Sequence, residues 1–290
     1  MTQTALILGP SGKIGRHFKT ALHAAGWQTR DYRRGTDMAA AARGCAVIVN
    51  GLNPPNYHDW DRQLPAITEQ VIAAARASGA RVLFPGNVYV YGLQPGPWDA
   101  TTPHRPNTRK GAIRAQVEAM YLTAGIKVLI LRAGDFMDAD SGSSALDVIY
   151  LRSLKAGKIT SPGDPGARRA HAWLPDLART GVALLARPDL PDFLDVPFPG
   201  YTISAQDILD GVQRITGQNL RMSGFPWGLM RLAAPFWELA RELQEMRPLF
   251  SHPHSLSGDM LAALLPGFTP TPLDEALRAA LDRRKPAQAA

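Results

Sequence analysis

A single cysteine, Cys45, stands in the 290 residues, so no intramolecular disulfide can form and nothing argues for an oxidising compartment. Cys45 borders an apolar run and reads as a small buried hydrophobe, not a nucleophile. No stretch approaches the roughly 20 consecutive apolar residues of a membrane span. The first residues also lack a basic segment followed by a long apolar one, and the expectation is a cytoplasmic protein without membrane contact. Metal chemistry is thinly supplied: His252 and His254 flank Pro253 with no neighbouring carboxylate or cysteine, and no metal site is expected. Repeats and low-complexity tracts are absent. The net charge is +7, yet the basic residues are scattered and not interleaved with an aromatic or glycine-rich nucleic-acid motif. A solvated basic surface is expected, and no nucleic-acid partner.

What is present is an ordinary globular composition, 45% apolar and 20% charged, in a chain long enough to bury a large core. Its most informative stretch lies near the start. Ala5 to Leu8 reads as a buried strand entering a turn with Gly9, Gly12 and Gly15, followed by a helix with Ile14, Phe18 and Leu22 on one face. Gly9 can take the tight turn, Gly12 admits a pyrophosphate close to the backbone, and Gly15 lets the helix settle on the sheet. Strand, glycine turn and helix in that order meet the context test for a dinucleotide site, with Ser11, Lys13 and Ile14 in the same loop.

Strand and helix patterns then alternate. Trp27 to Tyr32 is a second strand running into Arg33 and Arg34, where such folds hold the adenosine ribose. Guanidinium groups there favour the 2′-phosphate of NADP over NAD. Asp31 is ambiguous: it fits a ribose hydroxyl or a partner for an arginine. Val47 to Asn50 ends in Gly51, Leu52 and Asn53, a rigid turn at the cofactor edge, and so little chain separates Asp37 from this strand that one β-α unit looks trimmed. A helix over 64–78, a strand Arg81 to Phe84, a helix over 108–122 and a strand Val128 to Leu131 follow. The alternation predicts an α/β fold with a Rossmann-type doubly wound parallel sheet. Residues 1–136 would form that unit and 171–198 return to it, while 137–170 and 199–290 would make a smaller C-terminal substrate-side domain. There we expect a helix over 145–155, a loop over 156–170, one aromatic helix over 226–246 packed in the core, a last helix over 272–281, and a frayed tail over 285–290.

Taken together, the glycines at 9, 12 and 15, Val90-Tyr91-Gly92, Arg132-Ala133-Gly134-Asp135-Phe136 and the run from His171 to Ala178 resemble the short-chain dehydrogenase/reductase superfamily. The extended epimerase/dehydratase branch is the most similar, over about residues 5–215. The resemblance implies an NAD(P)-dependent oxidoreductase or epimerase/dehydratase acting on a carbonyl or hydroxyl of a small polar metabolite, a nucleotide sugar among the candidates. A homodimer through helices of the sheet is common in the family. Its Ser, Tyr and Lys are replaced here: Asn87 stands at the serine position, Lys110 and Arg114 at those of Tyr-x-x-x-Lys. Two readings stay open. Lys110 and Arg114 keep a cationic pair near cofactor and substrate while Asn87 holds the substrate oxygen and Tyr89 or Tyr91 supplies the proton; or the pocket binds NADP(H) without turnover, as a sensor or scaffold. Asp135 and His171 are the candidate substrate contacts.

Overall fold

The computed structural model describes residues 2–140 and 142–284. The tail expected to fray lies outside the described residues.

Four apolar runs that alternate with helices become the centre of a parallel sheet: β1 (Thr4–Leu8), β3 (Val47–Asn50), β4 (Arg81–Asn87) and β5 (Val128–Ala133). The strand order is β2-β1-β3-β4-β5-β9, with β2 (Gln28–Asp31) on one edge and β9 (Phe193–Pro197) on the other, and every pairing parallel. Strand alternation sends successive side chains to opposite faces. Leu6, Leu8, Ile48, Val82, Phe84 and Ile130 pack with Leu64, Val71, Val117 and Tyr121 of α3 (Trp60–Ser78) and α4 (Arg109–Thr123). On the other face, Ala5, Ile7, Val49, Leu83, Leu129 and Leu131 meet Phe18 and Leu22 of α1 (Lys13–Ala24) and Leu177 and Val182 of α5 (Leu174–Leu185). Burial on both faces is why these strands read as continuous apolar runs.

The trimmed unit is real. After β2 comes only α2 (Met38–Ala42), capped by the Asp37 carboxylate, and β3 then pairs directly with β1. Neighbours on the two sides of β1 are therefore reached by connections on opposite faces, which opens a crevice beyond its carboxyl end.

Beyond β5 the expected layout needs revision. The segment expected to be a helix, 145–155, is a short π-type turn at Leu146–Tyr150 followed by a 3-10 turn at Leu154–Ala156. The expected loop 156–170 contains β7 (Lys158–Ser161) and the start of β8 (Arg169–Trp173). β8 sits between β6 (Asp135–Met137) and β10 (Tyr201–Ile203) in a three-stranded sheet, and β7 pairs with β11 (Arg221–Gly224). A separate apolar cluster with Met137, Leu146, Ile159, Ile203 and Leu277 holds this part together around α6 (Ala205–Thr216) and α10 (Leu273–Asp282). The single helix expected over 226–246 is two, α7 (Trp227–Ala233) and α8 (Glu238–Ser251), joined through Pro235; α9 (Asp259–Leu264) lies beside β9.

Candidate active site at the carboxyl edge of the sheet

The glycine loop forms because its backbone comes too close together for side chains. Gly9 has φ +73°, and a Cβ on Gly15 would lie 2.2 Å from the Gly9 carbonyl oxygen. One on Gly51 would lie 2.8 Å from the Leu8 carbonyl, so the exit of β3 rests on the exit of β1. Gly12 is the N-cap of α1 and offers no side chain to its first-turn amides, while Ser11 and Gly12 are exposed. Unpaired amides at a helix start, next to a backbone with no Cβ in the way, suit a pyrophosphate. Ile14 is buried against the sheet and holds the loop from below. Lys13 reaches across to donate to the Ser143 carbonyl at 2.6 Å, a strap between the loop and the segment after β6.

At the end of β2, Asp31 is bound to Lys19 of α1 at 2.7 Å, so the cation it meets is a lysine and not an arginine. Arg30 turns away to the carbonyls of Ala41 and Arg43. Arg33 and Arg34 remain exposed at the strand's carboxyl end.

Next to the glycine loop, the turn after β3 and the start of α4 bring the remaining candidates together. Asn53 accepts from the Arg114 guanidinium at 2.8 Å, and Leu52 is tied through its amide to Asn50. Arg114 is buried over the Trp60 ring, 4.8 Å from its centre. Lys110 is buried as well, and its ammonium is clasped by Glu242 and Glu245 of α8, each at 2.5 Å. This corrects the expectation for Lys110. Two carboxylates take up its ammonium, in place of the open position beside cofactor and substrate that the resemblance implies. Burial pushes the Glu242 carboxyl upward, but the bond to Lys110 and the charge of Arg109 outweigh that and hold it below the ordinary range.

Asn87 uses its carboxamide oxygen to accept from the Tyr89 amide at 3.0 Å, which orients the turn bearing Tyr89. Tyr91 is corrected too. Its hydroxyl donates to the Asp99 carbonyl and its ring lies against Trp98 and under the Arg132 guanidinium, a packing position. Arg132 is fully buried and forks onto Glu118, at 3.1 and 2.7 Å, with Asp195 and the Asn87 carbonyl as further acceptors. The Arg132-to-Phe136 motif thus supplies a structural anchor as well as the candidate Asp135.

Tyr89 faces a second tyrosine. Its hydroxyl lies 3.4 Å from that of Tyr57, a residue not among the expected ones. Burial, then the charges of Tyr57 and Asp135, push Tyr89 well above the ordinary tyrosine range, and burial raises Tyr57 also. Tyr57 sits in a turn where Asn56, Tyr57 and Asp59 hold φ of 56°, 62° and 50°, a left-handed conformation that costs of order 1 kcal/mol each and concentrates at functional sites. Behind the tyrosines, Asp135 is paired with Arg169 at 2.6 Å. Burial opposes ionisation of Asp135, but Arg169 overrides it and the carboxyl stays below its usual range. Arg169 also donates to the Tyr150 hydroxyl at 3.1 Å.

His171 is not in a loop. It lies buried on β8, where Nδ1 donates to the Arg169 carbonyl and Nε2 is 3.4 Å from the Tyr150 hydroxyl. Burial lowers it to about 4, as it does His254, which stacks on Trp98 with ring centres 4.7 Å apart. His254 Nδ1 faces the His252 carbonyl, which fixes the proton there and leaves Nε2 a buried lone pair with no partner among the described residues. Tyr57, Tyr150, Arg169 and His254 were missed in the sequence. Arg169, two residues before the noted His171, is the one a period-of-two reading of that strand would have found.

A glycine cradle at the switch point of a parallel sheet, with ionisable side chains gathered on the same edge, defines a Rossmann-type α/β fold. No protein-family profile and no curated protein matches the chain. Solved structures do. MoeE5 in complex with UDP-glucose and NAD is 15% identical with a TM-score of 0.74, over 97% of this chain and 98% of that one. UDP-glucose 4-epimerase of Thermus thermophilus in complex with NAD is 17% identical, TM-score 0.72, over 99% and 100%. RMD from Pseudomonas aeruginosa, complexed with NADPH, is 17% identical, TM-score 0.71, over 98% and 97%. The fold is thus shared from end to end with proteins solved holding nicotinamide dinucleotides.

Proposed function

We propose that this chain is an NAD(P)-dependent enzyme of the extended or atypical short-chain dehydrogenase class, an oxidoreductase or epimerase/dehydratase working on a carbonyl or hydroxyl of a small polar metabolite. A nucleotide sugar is the favoured substrate class, because the structures that share the fold include ones bound to UDP-glucose. The observation that carries the reading is the glycine cradle of Gly9, Gly12, Gly15 and Gly51 on the same sheet edge as the Tyr57–Tyr89 hydroxyl pair. NADP is favoured over NAD, since Arg33 and Arg34 stand exposed at the end of β2 while Asp31 is taken up by Lys19.

A bound nicotinamide supplies hydride transfer. The chain's own contribution is to hold on Tyr89 a proton that burial keeps in place at neutral pH and that can pass to the more basic alkoxide formed at a carbonyl. Arg114 places a buried positive charge beside it, the role the resemblance gives to lysine. Asp135 and Arg169 form the polar wall against which a hydroxylated substrate would be oriented.

The second reading, a nucleotide-binding sensor or scaffold without turnover, is favoured by one observation: the side chain at the family's tyrosine position is a lysine capped by two carboxylates. Turnover with NADPH across a panel of sugar nucleotides and simple carbonyls separates the two. Consumption of NADPH that drops in Tyr89→Phe supports the enzyme; saturable binding with no turnover on the whole panel supports the sensor.

A further inference from the structure

The arm that caps Lys110 ends in apolar side chains that the fold leaves uncovered. Leu229 is 68% exposed, Leu232 74%, Phe236 95% and Trp237 47%. Core packing, the expectation for this band, holds for only part of it: Trp227 donates its indole N–H to the Pro162 carbonyl and lies between Phe225 and Phe250, and Ala240 and Met246 are buried. The other side chains sit on the outer side of α7 and of the turn into α8. Four large apolar side chains so close together form the kind of patch that a monomer in water rarely leaves without a use.

The charges around this tip are mostly basic, with Arg241 paired to Glu238 at 3.8 Å and to Glu242 at 3.5 Å. Arg231, Arg241 and Arg247 are exposed, the last over the Trp227 ring, and Arg152 stacks on Phe225. The acids of the same segment are all paired, Glu242 and Glu245 with Lys110 and Glu238 with His58. The whole chain carries +7.

We propose that this tip docks on the surface of an anionic lipid bilayer, with Leu229, Leu232, Phe236 and Trp237 entering the headgroup region and Arg231 meeting lipid phosphates. Charge complementarity selects the occupant. An apolar tip flanked by Arg231, with Arg247 and Arg152 on the rings at the start of α7, matches an anionic interface, whereas a second copy would bring like charges together. Trp237 has the amphipathic ring that settles at headgroup depth. Among the described residues no helix is long and apolar enough to cross a membrane, so the attachment is peripheral. Because α7 leads into the helix carrying Glu242 and Glu245, the docked face belongs to the arm that caps Lys110.

Co-sedimentation of the full chain with vesicles tests this, using phosphatidylcholine alone and phosphatidylcholine mixed with phosphatidylglycerol in equal parts. Binding is expected to the mixed vesicles, to weaken with added salt, and to fall by about tenfold or more in Leu232→Ser/Phe236→Ser, whose exposed positions leave the melting temperature in place. Arg231→Ala should lower the preference for the anionic vesicles. Absence of binding to the mixed vesicles overturns the proposal, as does binding that the double substitution leaves unchanged. A concentration-dependent dimer in light scattering, lost in the double variant and without vesicle binding, would assign the patch to self-association and overturn it as well.

Discussion

Gly15 has no room for a side chain, because its missing Cβ is where α1 meets the Gly9 carbonyl. Gly15→Val should push the helix start off the loop and weaken NADPH binding by about tenfold or more, a loss of at least ~1.4 kcal/mol, measurable by nucleotide fluorescence. Tyr89→Phe is expected to leave that affinity in place and lower turnover by about 10²-fold or more, because it removes a proton and not a phosphate contact. These residues differ in how legible they are in sequence. Glycines at fixed spacing after a strand announce a backbone constraint that needs nothing distant. Tyr57 and Arg169 become neighbours of Tyr89 and Asp135 only through the folding of a left-handed turn and an added strand, which no local pattern records.

At the scale of the element, the decisive contact is between α8 and α4. Lys110 has side-chain exposure of 1%, Glu242 5% and Glu245 25%, so this is a buried ion cluster. Its net contribution is small while intact, but removing one member leaves charges without compensation. Lys110→Met should cost about 3–5 kcal/mol in urea denaturation, and Lys110→Met/Glu242→Gln/Glu245→Gln should recover most of it. Equal losses in the single and triple variants would show that shape and not charge holds the arm. The cap was invisible in sequence because helical spacing places Lys110 and Arg114 on one face without saying what lies opposite. The same blindness explains the misread aromatic band: Trp227, Leu229 and Leu232 have a helical rhythm, and only the break through Pro235 decides that some of them face outward.

For the whole molecule, the buried imidazoles set a pH dependence. His171 and His254 sit at about 4, against 6.5 for an unconstrained histidine, because burial disfavours their charge. Between those values the unfolded chain binds more protons than the folded one, so stability is fully present above about pH 6.5 and falls as pH drops toward 4. Each histidine adds up to ~1.4 kcal/mol per pH unit to that slope. Thermal melts from pH 8 to pH 4 should be flat above neutrality and decline below it, with the decline shallower in His254→Gln; a profile without decline would mean that these rings are charged or hydrated in the native state. The parallel sheet, its trimmed unit and its cofactor edge were legible because each buried strand carries its own apolar run and its own turn. The smaller region was not: β7 and β8 lie in a glycine-, proline- and arginine-rich stretch whose strands are chosen by their partners β11, β6 and β10.

The account rests on a dinucleotide in the Gly9-to-Gly15 cradle with Arg33 on its 2′-phosphate. Titration of the protein with NADPH and NADH, followed by nucleotide fluorescence, should give saturable binding of both, tighter for NADPH, with that preference lost in Arg33→Ala; binding of neither nucleotide would contradict it.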